Sequence, residues 1–145
     1  MKTLTHLYFA YGSNLNFEQM ANRCPGAEFF ARGFLEDYQF LIFDRGYATL
    51  VPAENESTWG GVWKISRAHL NALDTYEGVS RNLYLRESIA IQMPDRNDQS
   101  INCQIYFSTN IKQGTANPGY MEAVIIGARD CHLPGEYIKK LKMWL

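Results

Sequence analysis

Turn signals recur at short, regular intervals along this chain, and that punctuation constrains its fold more than any other feature. Pro25-Gly26, Asp44-Arg45-Gly46, Gly60-Gly61, the polar stretch 94–100, Pro118 and Pro134 leave room only for short strands and short helices between them. No internal repeat, low-complexity tract or linker interrupts the pattern, and no apolar run approaches the length of a membrane span. At 145 residues the expectation is one domain, 1–145, large enough to bury a core without disulfides or structural metals.

Residues 4–10 read as a first strand, rich in aromatic and aliphatic side chains. After the turn Tyr11-Gly12-Ser13-Asn14, Asn16 is placed to cap a helix through Phe17, Met20 and Ala21 that stops before Pro25-Gly26. Residues 27–43 predict a strand broken near Gly33. Residues 48–51 predict a short strand ending at Pro52, and residues 59–65 another, in which Gly60-Gly61 marks a bulge or a close backbone approach. Ser66 caps a helix carrying Leu70 and Leu73 on one face, with Gly78 at its far end. Residues 83–93 and 101–107 form an antiparallel pair around the polar loop. Pro118 stands at the first position of a helix bearing Tyr120, Val124 and Ala128, and Pro134 begins a last helix. Strands outnumber helices, so the class is α+β.

A formal net charge of -1 provides no field to concentrate a polyanion, which argues against nucleic acid as a partner. Lys139, Lys140 and Lys142 read as the solvated face of the last helix. The apolar stretch 7–10 is too short for a secretory signal, and Cys24, Cys103 and Cys131 are odd in number and widely spaced, so a reducing cytosol with buried thiols is expected. His6, His69 and His132 lack metal-ligand spacing, so no metal is expected.

Two segments could carry chemistry. The turn Tyr11-Gly12-Ser13-Asn14-Leu15 offers successive backbone N–H groups at a helix start, a site for a carboxylate or a developing oxyanion. Gly12 would admit a close ligand, and Ser13 and Asn14 would add side-chain bonds. It lacks both the dinucleotide glycine spacing and the P-loop lysine, which disfavours a nucleotide-binding α/β domain. Taken by itself, a Gly-Ser-Asn turn is most often only a chain reversal. In Asp74-Thr75-Tyr76-Glu77-Gly78, Glu77 falls in or just past the last helical turn, where the negative end of the macrodipole should raise its pKa. That suits a general base; an ordinary glutamate at a fraying helix end is the alternative.

Taken in order, residues 8–15 (Tyr-Phe-Ala-Tyr-Gly-Ser-Asn-Leu), Gly61-Val62-Trp63, Leu73-Asp74 and Glu77-Gly78-Val79 resemble the γ-glutamylcyclotransferase family. So do Leu83-Tyr84, Tyr106 with Thr109-Asn110, Pro118 with Tyr120, Gly127-Ala128, Leu133-Pro134 and Glu136-Tyr137. The resemblance spans nearly the whole chain. It implies a small mixed β-barrel with flanking helices and a pocket at one mouth. It also implies Glu77 as proton acceptor and a loop of Tyr8, Phe9, Ala10, Tyr11, Gly12, Ser13 and Asn14 holding the γ-glutamyl or 5-oxoproline moiety. Tyr84, Tyr106 and Tyr120 match pocket tyrosines, Tyr120 being the one nearest the product.

The reaction that the resemblance implies converts a small γ-glutamyl substrate to 5-oxoproline and a free amine. It involves no redox step and no hydrolysis, so no cofactor is expected. Tyr-Gly-Ser-Asn-Leu resembles the branch acting on γ-glutamyl-α-amino acids more than the glutathione-specific pattern. A non-catalytic binding module of the same fold is the competing expectation. Met143-Trp144-Leu145 would pack on the protein's own core or form a homodimer contact.

Overall fold

In the computed structural model, which describes residues 3–145, the longest pairing is one antiparallel hairpin. Its first arm is β2 (Glu28–Ile42); the chain reverses at Asp44-Arg45-Gly46 and returns as β3 (Ala48–Ile65). β1 (His6–Ala10) pairs antiparallel with the end of β3, and β4 (Tyr84–Met93) and β5 (Gln99–Ser108) form a second hairpin. The order β1-β3-β2-β4-β5 closes into a barrel through a parallel contact of Tyr8 with Gln104. The expected mixed barrel with flanking helices is therefore present. Its helices are α1 (Phe17–Arg23), α2 (Arg67–Tyr76), α3 (Tyr120–Asp130) and α4 (Gly135–Lys142).

Several local expectations are corrected. β2 runs unbroken through Gly33, and its irregularities fall between Phe29 and Ala31 and between Glu36 and Tyr38. The glycine instead permits the seam between β2 and β4, because a Cβ there would lie 2.7 Å from Ile91 Cγ2 and 2.8 Å from the Gln92 carbonyl. Pro52 does not end a strand, and the two segments expected around it are one: β1 covers β3 only from Gly61 to Ile65, so at Pro52 that edge of β3 needs no donor. Gly60-Gly61 is a close approach and not a bulge, since a Cβ on Gly60 would collide with the Phe9 ring at 2.7 Å and with the Ala10 carbonyl. Pro118 lies outside α3, which is capped by Gly119 in the left-handed region (φ 81), and Pro134 caps α4 instead of opening it.

Two apolar clusters form. One fills the barrel around Phe9, Ile42, Val62, Ile91 and Ile105 and reaches α3 and α4 through Val124 and Leu141. The other, Tyr8, Met20, Cys24, Trp63, Ile65, Leu70, Leu73 and Tyr106, is the floor on which α1 and α2 rest. All three cysteines are buried, and no disulfide joins them. The terminal apolar residues divide: Trp144 packs 6.2 Å from the Phe40 ring, while Met143 and Leu145 are exposed. Among the described residues, no helix is long and apolar enough to cross a membrane.

Candidate active site

α2 is held at both ends. Ser66 Oγ accepts the His69 N–H at 3.1 Å while His69 Nδ1 accepts the Ser66 N–H at 3.1 Å, so His69 is a capping residue. Buried Leu70 and Leu73 press the helix onto the second cluster. Asp74 Oδ1 then receives the Tyr106 hydroxyl at 2.7 Å and Arg86 Nε at 2.8 Å, tying the last turn to β4 and β5. Glu77 follows as the C-cap, its N–H on the Leu73 carbonyl at 2.8 Å. Gly78 ends the helix at φ 67, where a Cβ would also meet Leu83 Cδ1 at 2.8 Å.

Glu77 opens into a cavity of about 870 Å³ at one mouth of the barrel, and its carboxylate has no hydrogen-bond partner among the described residues. Its pKa is pushed up from 4.5 to about 7, chiefly by burial, with the Arg23 charge pulling the other way. The direction matches the sequence reading, and the largest cause is desolvation by burial.

Across the cavity lies the turn. Tyr8, Tyr11, Gly12, Ser13 and Asn14 line the cavity; Phe9 and Ala10 do not, because strand alternation sends Phe9 into the barrel and Ala10 against the floor. A short 3-10 turn, Ser13–Leu15, separates the loop from α1, whose start is capped by Asn16 Oδ1 on the Gln19 N–H at 3.1 Å. The N–H groups of Leu15 and Asn16 are consumed at 3.0 Å by the Gly12 and Ser13 carbonyls, and the Ser13 backbone bonds the Tyr120 oxygen, so the remaining donors of the turn are the Gly12 and Asn14 N–H groups.

A Cβ on Gly12 would sit 2.8 Å from the Tyr120 hydroxyl, so the glycine also makes room for a tyrosine of the pocket. Asn14 is buried and committed to protein partners, giving Nδ2 to the Tyr8 hydroxyl at 2.9 Å and accepting Arg23 Nη1 at 2.6 Å and Gln19 Nε2 at 3.2 Å.

Tyr84, Tyr106 and Tyr120 complete the wall. Ala48 is clamped between two of them, its carbonyl accepting the Tyr84 hydroxyl at 3.0 Å and its N–H reaching the Tyr120 hydroxyl at 3.2 Å. The Tyr11 hydroxyl donates to the Tyr106 carbonyl at 2.5 Å. Burial raises all of these phenols; Tyr120 reaches only about 12, because the Ala48 and Ser13 backbones bond its oxygen.

Sequence reasoning missed the cations and much of the rim. Arg23, Gln19, Arg45, Tyr47, Tyr76 and Asn117 also line the cavity. The four-residue spacing of Gln19 and Arg23 on one side of α1, on the same face as the turn, was a usable signal. Asn117 holds the Arg45 turn to the rim, its Nδ2 on the Arg45 carbonyl at 3.0 Å. A second depression, of about 730 Å³, holds none of the expected residues, and its arginines are engaged, Arg32 with Asp95 at 2.9 Å and Arg96 stacked 3.6 Å over Phe30.

Comparisons with known proteins agree with this architecture. The AIG2-like family matches residues 57–141, from within β3 through most of α4. Gamma-glutamylcyclotransferase of Homo sapiens is 34% identical over 146 residues, covering 94% of this chain and 77% of that protein. The enzyme of the same name from Mus musculus is 34% identical over 95% of this chain and 78% of its own length. A solved structure of gamma-glutamyl cyclotransferase superposes with a TM-score of 0.89 at 32% identity, covering 97% of this chain and 88% of that one. A barrel mouth lined by Tyr8 and residues 11–14, a half-buried glutamate and a ring of tyrosines, together with 34% identity over nearly the whole chain, places this chain in the γ-glutamylcyclotransferase family, which the AIG2-like family match supports.

Proposed function

We propose that this protein cyclises a γ-glutamyl amide to 5-oxoproline with Glu77 as the proton carrier. The observation that carries the reading is a half-buried carboxylate without a hydrogen-bond partner among the described residues, pushed up to about 7 and opening into the cavity opposite the loop. A general base works best with a pKa near the working pH.

The substrate supplies its own nucleophile. Its α-amine attacks the γ-carbonyl, a C–N bond forms in the five-membered ring, and the amide C–N bond breaks. The attacking ammonium gives up two protons in all, and the departing nitrogen gains two to leave as an ammonium. Glu77 accepts from the first nitrogen and returns to the second. The cavity holds the chain folded on itself, which contributes through orientation. Loop donors preceding Leu15 hold an anion. The α-carboxylate and the oxyanion seek the same donors, and a structure with bound 5-oxoproline tells them apart.

Charge supports a γ-glutamyl-α-amino acid as substrate. Such a molecule has two carboxylates and one ammonium, and the cavity presents Arg23, Arg45 and Glu77, both arginines lacking a carboxylate partner among the described residues. Three buried, unbridged thiols fit a reducing compartment, the cytosol.

The test is 5-oxoproline release from γ-glutamyl-alanine, glutathione and γ-glutamyl-lysine. Glu77→Gln keeps the shape and should lose at least ~10²-fold in turnover. Near-normal turnover in that variant rejects Glu77 as base, and no product from any substrate with the unaltered protein favours a binding module.

A further inference from the structure

Arg23 occupies an unusual position for a guanidinium that lines a cavity. It projects from the last turn of α1, and every partner it has is neutral. Nη1 donates to Asn14 Oδ1 at 2.6 Å and to Ser13 Oγ at 3.4 Å, Nη2 donates to the Tyr76 hydroxyl, and the group stacks 3.7 Å over the Tyr76 ring. Asn14 belongs to the loop, and Tyr76 immediately precedes Glu77 on α2. The side chain therefore bridges the two halves of the site without forming an ion pair with Glu77.

We propose that Arg23 is a positioning residue for the reaction: tethered between the loop and the end of α2, it is the fixed counter-charge that keeps Glu77 a usable base while the tethers stop it from closing into an ion pair. This rests on the reading of Glu77 as proton carrier. A contact ion pair would leave the carboxylate a poor base and block the ammonium's approach. With no cation nearby, burial would leave the carboxylate protonated at neutral pH.

The other groups around Glu77 cannot take this part. Tyr8 and Tyr11 on the β1 side, Tyr84 on β4 and Tyr120 on α3 are near enough for the Glu77 charge to raise them, and they stay neutral where Glu77 titrates. On β5, Tyr106 donates to Asp74, and Asp74 in turn pairs with Arg86 of β4. Arg81, in the turn after α2, and Arg45, on the β2–β3 turn, form no ion pair with Glu77, and the cation that lowers its pKa is Arg23.

The test is the pH dependence of kcat/KM for 5-oxoproline release from γ-glutamyl-alanine in the unaltered protein, Arg23→Gln and Arg23→Lys, with a parallel carbon NMR titration of the Glu77 carboxyl. Arg23→Gln should move the acid limb and the carboxyl titration upward together by about half to one unit. Its rate at pH 6 then falls roughly three- to tenfold and recovers above pH 8. Arg23→Lys keeps the charge and should stay near the original limb. An unmoved Glu77 titration in Arg23→Gln overturns the proposal, as does a rate loss that is uniform across pH. A failure of the Glu77 reading is separate: it shows as an active Glu77→Gln variant, whereas here Glu77→Gln stays inactive and only the Arg23 limb is wrong.

Discussion

Glu77 illustrates how a residue suited to chemistry burdens the fold that holds it. Its folded pKa of about 7 exceeds its ordinary 4.5, so across that interval the folded protein keeps a proton that the unfolded chain has released. Stability present at low pH is therefore lost as pH rises from about 4.5 to about 7 and stays lost above it. Glu77→Gln removes the ionisable group. Urea denaturation should show this variant equal to the parent near pH 4 and more stable at pH 8, by roughly 1–3 kcal/mol for a shift of this size in a half-buried group. Equal stability of the two proteins at pH 8 would contradict the burial that raises the carboxyl. The gain runs opposite to activity, as expected where a site holds a group its fold disfavours.

At the level of elements, the site depends on how α2 ends. The helix rests on the floor through Leu70 and Leu73, but its last turn is joined to the barrel by Asp74, which takes both Tyr106 and Arg86 on a single oxygen. Asp74→Ala should cost about 1.5–3 kcal/mol, the range for hydrogen bonds to a charged group. It should also lower turnover, because Glu77 lies one turn further along. Turnover unchanged beside a lowered denaturation midpoint would show that the floor alone positions the helix. On the opposite wall, α3 comes so close to the 3-10 turn that a Cβ on Gly127 would strike the Leu15 and Asn16 backbones. Each half of the site is thus backed by a helix.

For the whole molecule, packing leaves the three cysteines buried, Cys103 on β5 and Cys131 after α3 in the barrel cluster and Cys24 in the floor, and burial pushes Cys103 and Cys131 up to about 12. A thiol reagent at pH 8 should find almost no reactive cysteine in the native protein and three after denaturation in guanidinium, because the thiolate is the reacting form. Rapid native labelling of Cys103 or Cys131 would mean that the barrel opens readily. The buried Phe9 and Ile105 belong to the same cluster as Cys103, so native protection reports on the core as one body.

Local chemistry was legible in the sequence wherever a rule acts over a few residues. Asn16 and Ser66 as caps, Gly78 as a helix stop and the turn at Asp44-Arg45-Gly46 all follow from side-chain size, side-chain oxygens and backbone freedom. The candidate loop and Glu77 came from ordered motifs, and barrel closure came only with the family. Other features depended on partners far away in the chain. Gly33 reads as a break although β4 crosses it, Gly60-Gly61 reads equally as a bulge or as the close approach to β1 that it is, and Pro52 reads as an end although its edge needs no donor. Phe9 read as pocket, yet it points into the barrel. Arg23 went unnoticed because its meaning lies in Asn14 and Tyr76, nine and 53 positions away. The sequence by itself determined the caps at Asn16 and Ser66 and the stop at Gly78, and through family resemblance it singled out Glu77. Only tertiary structure decided how deeply that carboxylate is buried and which cation opposes it, because desolvation and charge act through space and not along the chain.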